Sequence, residues 1–408
     1  VSDVRRPALA LLLACLLLVA GASALDGYDY YQTIEYAACD QEIYQQDIVI
    51  HRTTGTAYNE TAGGLETWHI FVGDHCQADY DDVRFTNSTG ELAYYLWPDY
   101  DSSSARFCVR LVGADVVGEL LVWYGNPSAT TTSSGKDTYL LFDHFEGTSI
   151  DTEIWQNTAT GGTISVTDSV LTISGNLGAN KGLQSQTSFG PGTTFETSFK
   201  GTTATNGLLL VSYGLFRSGN YFSVVDHTAS NNAVIFYAAT PESYGNVVTM
   251  STSFETLTLS RPATSSQRGS YRSTTSTFSK TISDDLPIVI GTWIAANAAT
   301  YSFDYALVRA YSAAPPAAST FSGEQEATGT LHAFPGLTRI PRDLTGNGLY
   351  TDINGNNRLD YNDLTIFFQH LAWAKTAQPT SCFDFNGNGW LDYNDVITLF
   401  SIIMEEHT

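Results

Sequence analysis

Positive charge is scarce in this chain. Lys and Arg number 19 against 42 Asp and Glu, a formal charge of −23. Nucleic acid and anionic membrane surfaces are held through basic footprints, so both are excluded as partners and cations suit the chain better. Other absences narrow the chemistry. No CxxC pair occurs, which argues against a zinc site. No HExxH, GxSxG or phosphate-binding loop occurs either. Between residues 138 and 313 there is no ExDxE or ExDxxE cluster to set two carboxylates along one strand for retaining glycoside hydrolysis, so no catalytic residue is assigned. Beyond the first 24 residues, no apolar run is long enough to span a bilayer as a helix.

What is present begins with Arg5 and Arg6, followed by an apolar stretch from Ala8 to Ala20 and then Gly21, Ala22, Ser23 and Ala24. That is the layout of a secretory signal over 1–24, and it implies an extracellular or cell-surface location without a transmembrane anchor after cleavage. Cys39, Cys76, Cys108 and Cys382 would remain in an oxidising compartment, and a disulfide among the first three is expected, with the pairing left open. Asn59 and Asn87 open sequons of the glycosylation type.

From 25 to 135, short alternating segments such as DIVIHR, TWHIFVG and ELLVWYGN are separated by Gly, Asn, Asp and Ser, the pattern of an all-β domain. The run NPSATTTSSG (126–135) has linker composition. From 138 to 313 alternation resumes in TISVTDSVLTISG, LLLVSYGLF, TLTLSR and FDYALVRAY, and strands with frequent turns and no helical period predict a two-sheet sandwich. In its first hairpin, Ile164, Val166, Val170 and Ile173 are expected to share the buried face around a turn at 167–169. Tyr213, Tyr221, Tyr237, Tyr244 and Trp293 are either core residues or a sugar-stacking platform. A Pro- and Ala-rich linker is expected over 314–341.

The remaining residues, 342–408, contain an internal repeat with an offset of 32. DINGNNRLDYND (352–363) maps onto DFNGNGWLDYND (384–395). Calcium takes six to eight oxygen ligands, and a loop presenting them at positions 1, 3, 5, 9 and 12, with a carbonyl at 7, meets that demand. The residues at these positions are Asp352, Asn354, Asn356, Arg358, Asp360 and Asp363, then Asp384, Asn386, Asn388, Trp390, Asp392 and Asp395, with Arg358 and Trp390 offering only carbonyls. Position 6 is Asn357 in the first loop and Gly389 in the second, so the second has the easier turn. An upstream run, DLTGNGLYTD, offers Asp343 and Asn347 as either another ion site or a plain turn. Apolar stripes follow both loops at the same spacing, Leu364, Phe367, Phe368 and Leu371, then Val396, Leu399, Phe400 and Ile403, and predict two amphipathic helices that pack together.

This loop-helix pair resembles dockerin type I modules. The resemblance implies calcium as cofactor and a cohesin-like protein, or the chain's own domains, as partner. It implies contacts through Tyr361, Asn362, Tyr393 and Asn394, positions 10 and 11 of each loop. LLFDHFEGTSIDTEIW, TISVTDSVLTISG and SFDYALVRAYSAAPP resemble the opening and closing strands of concanavalin A-like or LamG-like jelly rolls, a resemblance that implies turn or structural-metal roles, rather than catalytic ones, for Asp143 and Glu146. DVRFTNSTGELAYYLW and ELLVWYGNPSA resemble an uncharacterised β-domain that precedes such jelly rolls in archaeal and bacterial surface proteins. The expected fold is mainly β, with two jelly-roll-like sandwiches before a small helical calcium-binding domain. The expected function is secreted, non-catalytic carbohydrate binding or adhesion with docking through the tail. A polysaccharide-degrading hydrolase and a structural envelope protein remain as alternatives.

Overall fold

The computed structural model describes residues 25, 27–62, 65–201, 209–217, 219–226, 233–238, 243–292, 300–327, 331–388 and 390–406. The signal-like segment 1–24 lies outside the described residues. The chain is mainly β, with sandwich sheets and a small helical C-terminal region, and divides into two compact units. One is Tyr30–Glu326; the other contains the described residues from Ala327 onward together with the few described residues before Tyr30.

The first unit holds two sandwiches. In the N-terminal one, Tyr30–Tyr36, Gly118–Tyr124, Arg84–Asn87 and Gly90–Glu91 run in sequence across one sheet, and the opposed sheet is ordered Tyr58–Ala62, Leu65–Phe71, Ile43–His51, Ser104–Val112, Tyr94–Leu96. Alternation along these strands turns Ile34, Ile48, Ile50, Trp68, Ile70, Phe85, Phe107 and Val122 into one apolar core. The 314–341 segment departs from the expected linker. Ala318–Phe321 and Gln325–Glu326 both pair antiparallel with Tyr30–Tyr36, so the chain returns after the jelly roll to finish the sheet it began. The run 126–135 is also pinned rather than loose. Gln77 Nε2 donates to the carbonyls of Asn126 and Ala129, Leu96 N donates to Ser133 Oγ, and Ser134 caps α1 (Gly135–Thr138). No disulfide joins Cys39, Cys76 and Cys108, which are buried thiols within apolar clusters, contrary to the pairing expected from their number.

The second sandwich is the jelly roll. One sheet runs Thr163–Thr167, Val170–Ser174, Thr300–Ala310, Thr193–Gly201, Glu255–Ala263, Ser266–Tyr271, Thr274–Phe278, with Leu141–Asp143 also on Thr300–Ala310. The other runs Trp155–Asn157, Lys181–Phe189, Leu286–Thr292, Leu209–Tyr213, Phe222–Asp226, Ala233–Ala238, Ser243–Thr249. The first hairpin corrects one expectation. Its turn is the two-residue pair Asp168 and Ser169, both at positive φ, so Val166 pairs with Leu171, and Leu171 rather than Val170 reaches the core. The outer face of the eight-stranded sheet is fused to the N-terminal sandwich. Tyr305 and Leu307 are buried with Trp97, Cys108, Tyr139 and Phe142, beside a buried ion pair between Arg309 and Asp47 at 2.8 Å.

The second unit contains α2 (Tyr361–Ala377), α3 (Thr380–Phe383) and α4 (Tyr393–Glu406). Phe334, Phe367, Leu371, Phe383, Leu399 and Ile403 form its core. Pro379 ends the α2 region, and α2 has a non-helical break at His370. Among the described residues no helix is long and apolar enough to cross a membrane.

Candidate functional site

The two repeat loops fold into the same hydrogen-bonded cage. In the first, Asp352 Oδ1 accepts from Asn356 N and its Oδ2 from Asn357 N, while Asp363 bridges the loop ends by accepting from Asn354 N and Asp360 N. In the second, Asp384 accepts from Asn388 N, and Asp395 accepts from Asn386 N and Asp392 N. Position 3 answers position 5 in both, Asn354 Oδ1 from Asn356 N and Asn386 Oδ1 from Asn388 N. The helices start where the cages end. Asp360 is the N-cap of α2 and forms a capping box with Asp363, so residues at positions 9 and 12 serve loop and helix together.

Burial makes these carboxylates unusual. Asp352, Asp363 and Asp395 are fully enclosed. Burial pushes Asp363 up to about 6, with Asp352 and Asp360 adding to the effect, and also raises Asp395. No Lys or Arg pairs with them among the described residues. In the first loop, Asn356 Oδ1 and Asn354 Nδ2 are buried without a hydrogen-bond partner. An inward-facing amide oxygen beside buried carboxylates is a donor set that suits a hard cation. Among the described residues, no group of three or more His, Cys, Asp or Glu side chains is drawn together at metal-binding distances. Sequence reasoning missed position 4, where Gly355 and Gly387 both take positive φ; a Cβ on Gly355 would stand 2.4 Å from the Ile340 carbonyl oxygen. Asn357 adopts the left-handed turn at φ 66°, and Gly389 lies outside the described residues. Asp343 is a turn residue. Its oxygens accept from the backbone of Thr345, Gly346 and Gly348.

Tyr361 and Tyr393, with the exposed Asn362 and Asn394, lie at the starts of α2 and α4. Tyr361 is 51% exposed and sits 6.3 Å from the Phe400 ring; Tyr393 is 64% exposed and sits 6.0 Å from Phe368. The offset of 32 residues relates these two pairs, so the surface repeats itself about the helix pair. Phe368 and Phe400, expected inside the apolar stripe, are instead 55% and 43% exposed, because one helical step turns them about 100° from Phe367 and Leu399.

In the jelly roll, Tyr213, Tyr221 and Tyr237 are buried; the Tyr244 side chain and Trp293 lie outside the described residues. Asp143 accepts from Trp155 Nε1 and Phe145 N, and burial raises its carboxyl above the ordinary range. It anchors a core tryptophan. Leu210, Ile235, Tyr237 and Val289 form an apolar cluster separate from the main core, with Ser212 and Ser223 buried in the same sheet. Apart from Asp226, whose side chain is not described, the strands of this seven-stranded sheet contain no Asp or Glu.

A family model described as a domain of unknown function, DUF2341, matches residues 79–158, straddling the junction between the sandwiches. No protein of curated function matches the chain. Among solved structures, one from a study of endo-acting O-glycanases of the human gut microbiota is 12% identical with a TM-score of 0.35, covering 42% of this chain and 99% of its own. The Bacillus licheniformis beta-glucanase is 12% identical with a TM-score of 0.33, covering 42% of this chain and 97% of its own. A beta-1,3-glucanase from Mycobacterium marinum is 16% identical with a TM-score of 0.31, covering 42% of this chain and 98% of its own. Values this low assign this chain neither substrate nor activity.

Proposed function

We propose that the protein is a secreted, non-catalytic glycan-recognition component whose tail takes up two calcium ions and docks a cohesin-like partner. The observation that carries this reading is one hydrogen-bonded cage built twice, each time running into a helix that starts on an exposed tyrosine. The side-chain oxygens of Asp352, Asn354, Asn356, Asp360 and Asp363 with the Arg358 carbonyl would hold the first ion. Asp384, Asn386, Asn388, Asp392 and Asp395 with the Trp390 carbonyl would hold the second. A carboxylate oxygen engaged by one backbone N–H keeps a second lone pair, so the cage and a cation are compatible. Calcium supplies the positive charge that three buried carboxylates otherwise lack. The unit is also small, and metal binding adds directly to its folding free energy.

For the sandwich unit, recognition fits better than hydrolysis. Retaining cleavage needs two carboxyl groups about 5 Å apart, and residues 138–313 carry no ExDxE or ExDxxE cluster to set them along one strand. The test is calcium titration of the full chain, followed by calorimetry and circular dichroism. Uptake of two ions with a gain in helicity is expected. A folded chain that takes up no calcium, or takes it up without change in the helical signal or thermal stability, sinks the calcium and docking reading.

A further inference from the structure

Outside the repeat, the N-terminal sandwich carries a groove of about 570 Å³ that no motif predicted. Its walls come from the 54–57 loop, residues 71–75 and, far along the chain, the return segment 321–324, so the groove is complete only once the chain has passed through the jelly roll. The first wall is built to fit. A Cβ on Gly55 would stand 2.4 Å from the Phe71 ring, so glycine lets this loop lie against the aromatic.

A hydrogen-bonded chain runs along the groove. Gln32, only 4% exposed, donates both amide hydrogens, to the Phe71 carbonyl at 2.7 Å and to Tyr124 Oη at 2.9 Å. Tyr124 O–H donates in turn to Glu324 Oε2 at 2.9 Å, and His75 Nδ1–H donates to the same carboxylate. The His75 ring is stacked on Tyr30 at 4.3 Å, which fixes its plane. Burial pushes the Tyr124 hydroxyl's pKa upward, so it stays a donor. This leaves unspent acceptors. The Gln32 side-chain oxygen, Oε1, takes no hydrogen bond from the described residues, and the carboxylates of Asp74 and Glu324 also line the groove. Phe71, Ala57 and Phe321 add apolar surface.

An acceptor-rich cleft of this volume with apolar walls selects a compact ligand that brings several hydroxyl hydrogens and no negative charge. Resting on the glycan-recognition reading above, we propose that this groove, rather than the jelly roll, binds one or two neutral pyranose units, and that Asp74 and Glu324 exclude uronic acids.

The experiment is saturation-transfer NMR on the full chain in calcium, using methyl glycosides of glucose, galactose and mannose and the methyl glycoside of glucuronic acid. Binding of at least one neutral glycoside is expected, with the glucuronide about tenfold weaker, the scale of an unfavourable charge contact. Thr56→Trp, on the exposed loop, fills the groove and should abolish the signal; Glu324→Gln should bring glucuronide to within about threefold of the hexoside. Thermal melts of both variants check folding. Saccharide binding untouched by Thr56→Trp overturns the groove assignment and leaves glycan recognition standing. Preference for glucuronide overturns the acceptor argument. A folded native chain that binds none of the probes overturns both readings.

Discussion

Asp384 and Asp395 are the side chains on which the second cage closes, one at each end of the loop. If the tail takes up calcium as proposed, replacing both with Ala should leave no calcium-dependent gain in tail helicity even in millimolar calcium, because such binding couples to folding; circular dichroism with and without chelator measures it. Their place at the two ends of the loop was legible from spacing alone, since the repeat sets the same residue type at the same positions. Gly355 and Gly387 were not, because their role depends on φ and on a neighbouring carbonyl from another segment. Asp143 shows the same limit. In sequence it is one acid among many, and only the fold places it against Trp155 Nε1. Its carboxyl is raised in the folded state, so its contribution is fully present below the ordinary carboxylate range and declines as pH rises through the unfolded value to the folded one. Asp143→Asn should therefore flatten that part of the pH profile relative to the native chain, as read by melting temperature across pH 3 to about 6. Parallel profiles would remove Asp143 from the explanation.

At the scale of elements, strands were legible wherever alternation was strict, and boundaries failed where partners were distant. Val170 was expected inside because the turn was counted as three residues; a two-residue turn reverses the parity and brings in Leu171. The Pro- and Ala-rich composition of the 314–341 segment concealed two short strands, since nothing in ASTF or QE reveals an open sheet edge some 290 residues earlier. That edge gives a prediction. A chain ending at 326 should keep the N-terminal sandwich monomeric, whereas one ending at 313 leaves Tyr30–Tyr36 as an exposed edge that pairs between molecules. Sedimentation of the two truncations at matched concentration distinguishes them. Equal monomer content and equal melting temperature would make the return strands dispensable.

For the whole first unit, the junction between sandwiches behaves as core rather than as a hinge. Arg309 donates to both Asp47 Oδ2 and the Gln45 carbonyl, Gln45 Oε1 accepts from Ala310 N, and both charged residues are nearly enclosed. Arg309→Met should cost about 3–5 kcal/mol by stranding a buried carboxylate, while adding Asp47→Leu should recover part of that loss; equilibrium denaturation of the sandwich unit measures both. This pairing was invisible in sequence, where Asp47 and Arg309 are separate charges in separate predicted domains. The family match across 79–158 follows the physical junction better than the composition break at 126–135 does.

The tail raises the last question at this scale, whether one partner can meet it in two ways. Tyr361 with Phe400 and Tyr393 with Phe368 are the same aromatic pair presented twice, each tyrosine more than half exposed. A partner that buries one pair at its centre can bury the other after a half-turn, so loss of one pair leaves the second orientation available. Against an immobilised cohesin module in calcium, Tyr361→Ala and Tyr393→Ala should each weaken binding by about twofold, the statistical loss of one of two orientations. The double variant should lose far more than the product of the two. Equal, additive losses would show a single orientation using both tyrosines. Binding by the double variant at native strength would remove this face from docking, leaving the two aromatic pairs as helix-to-helix packing.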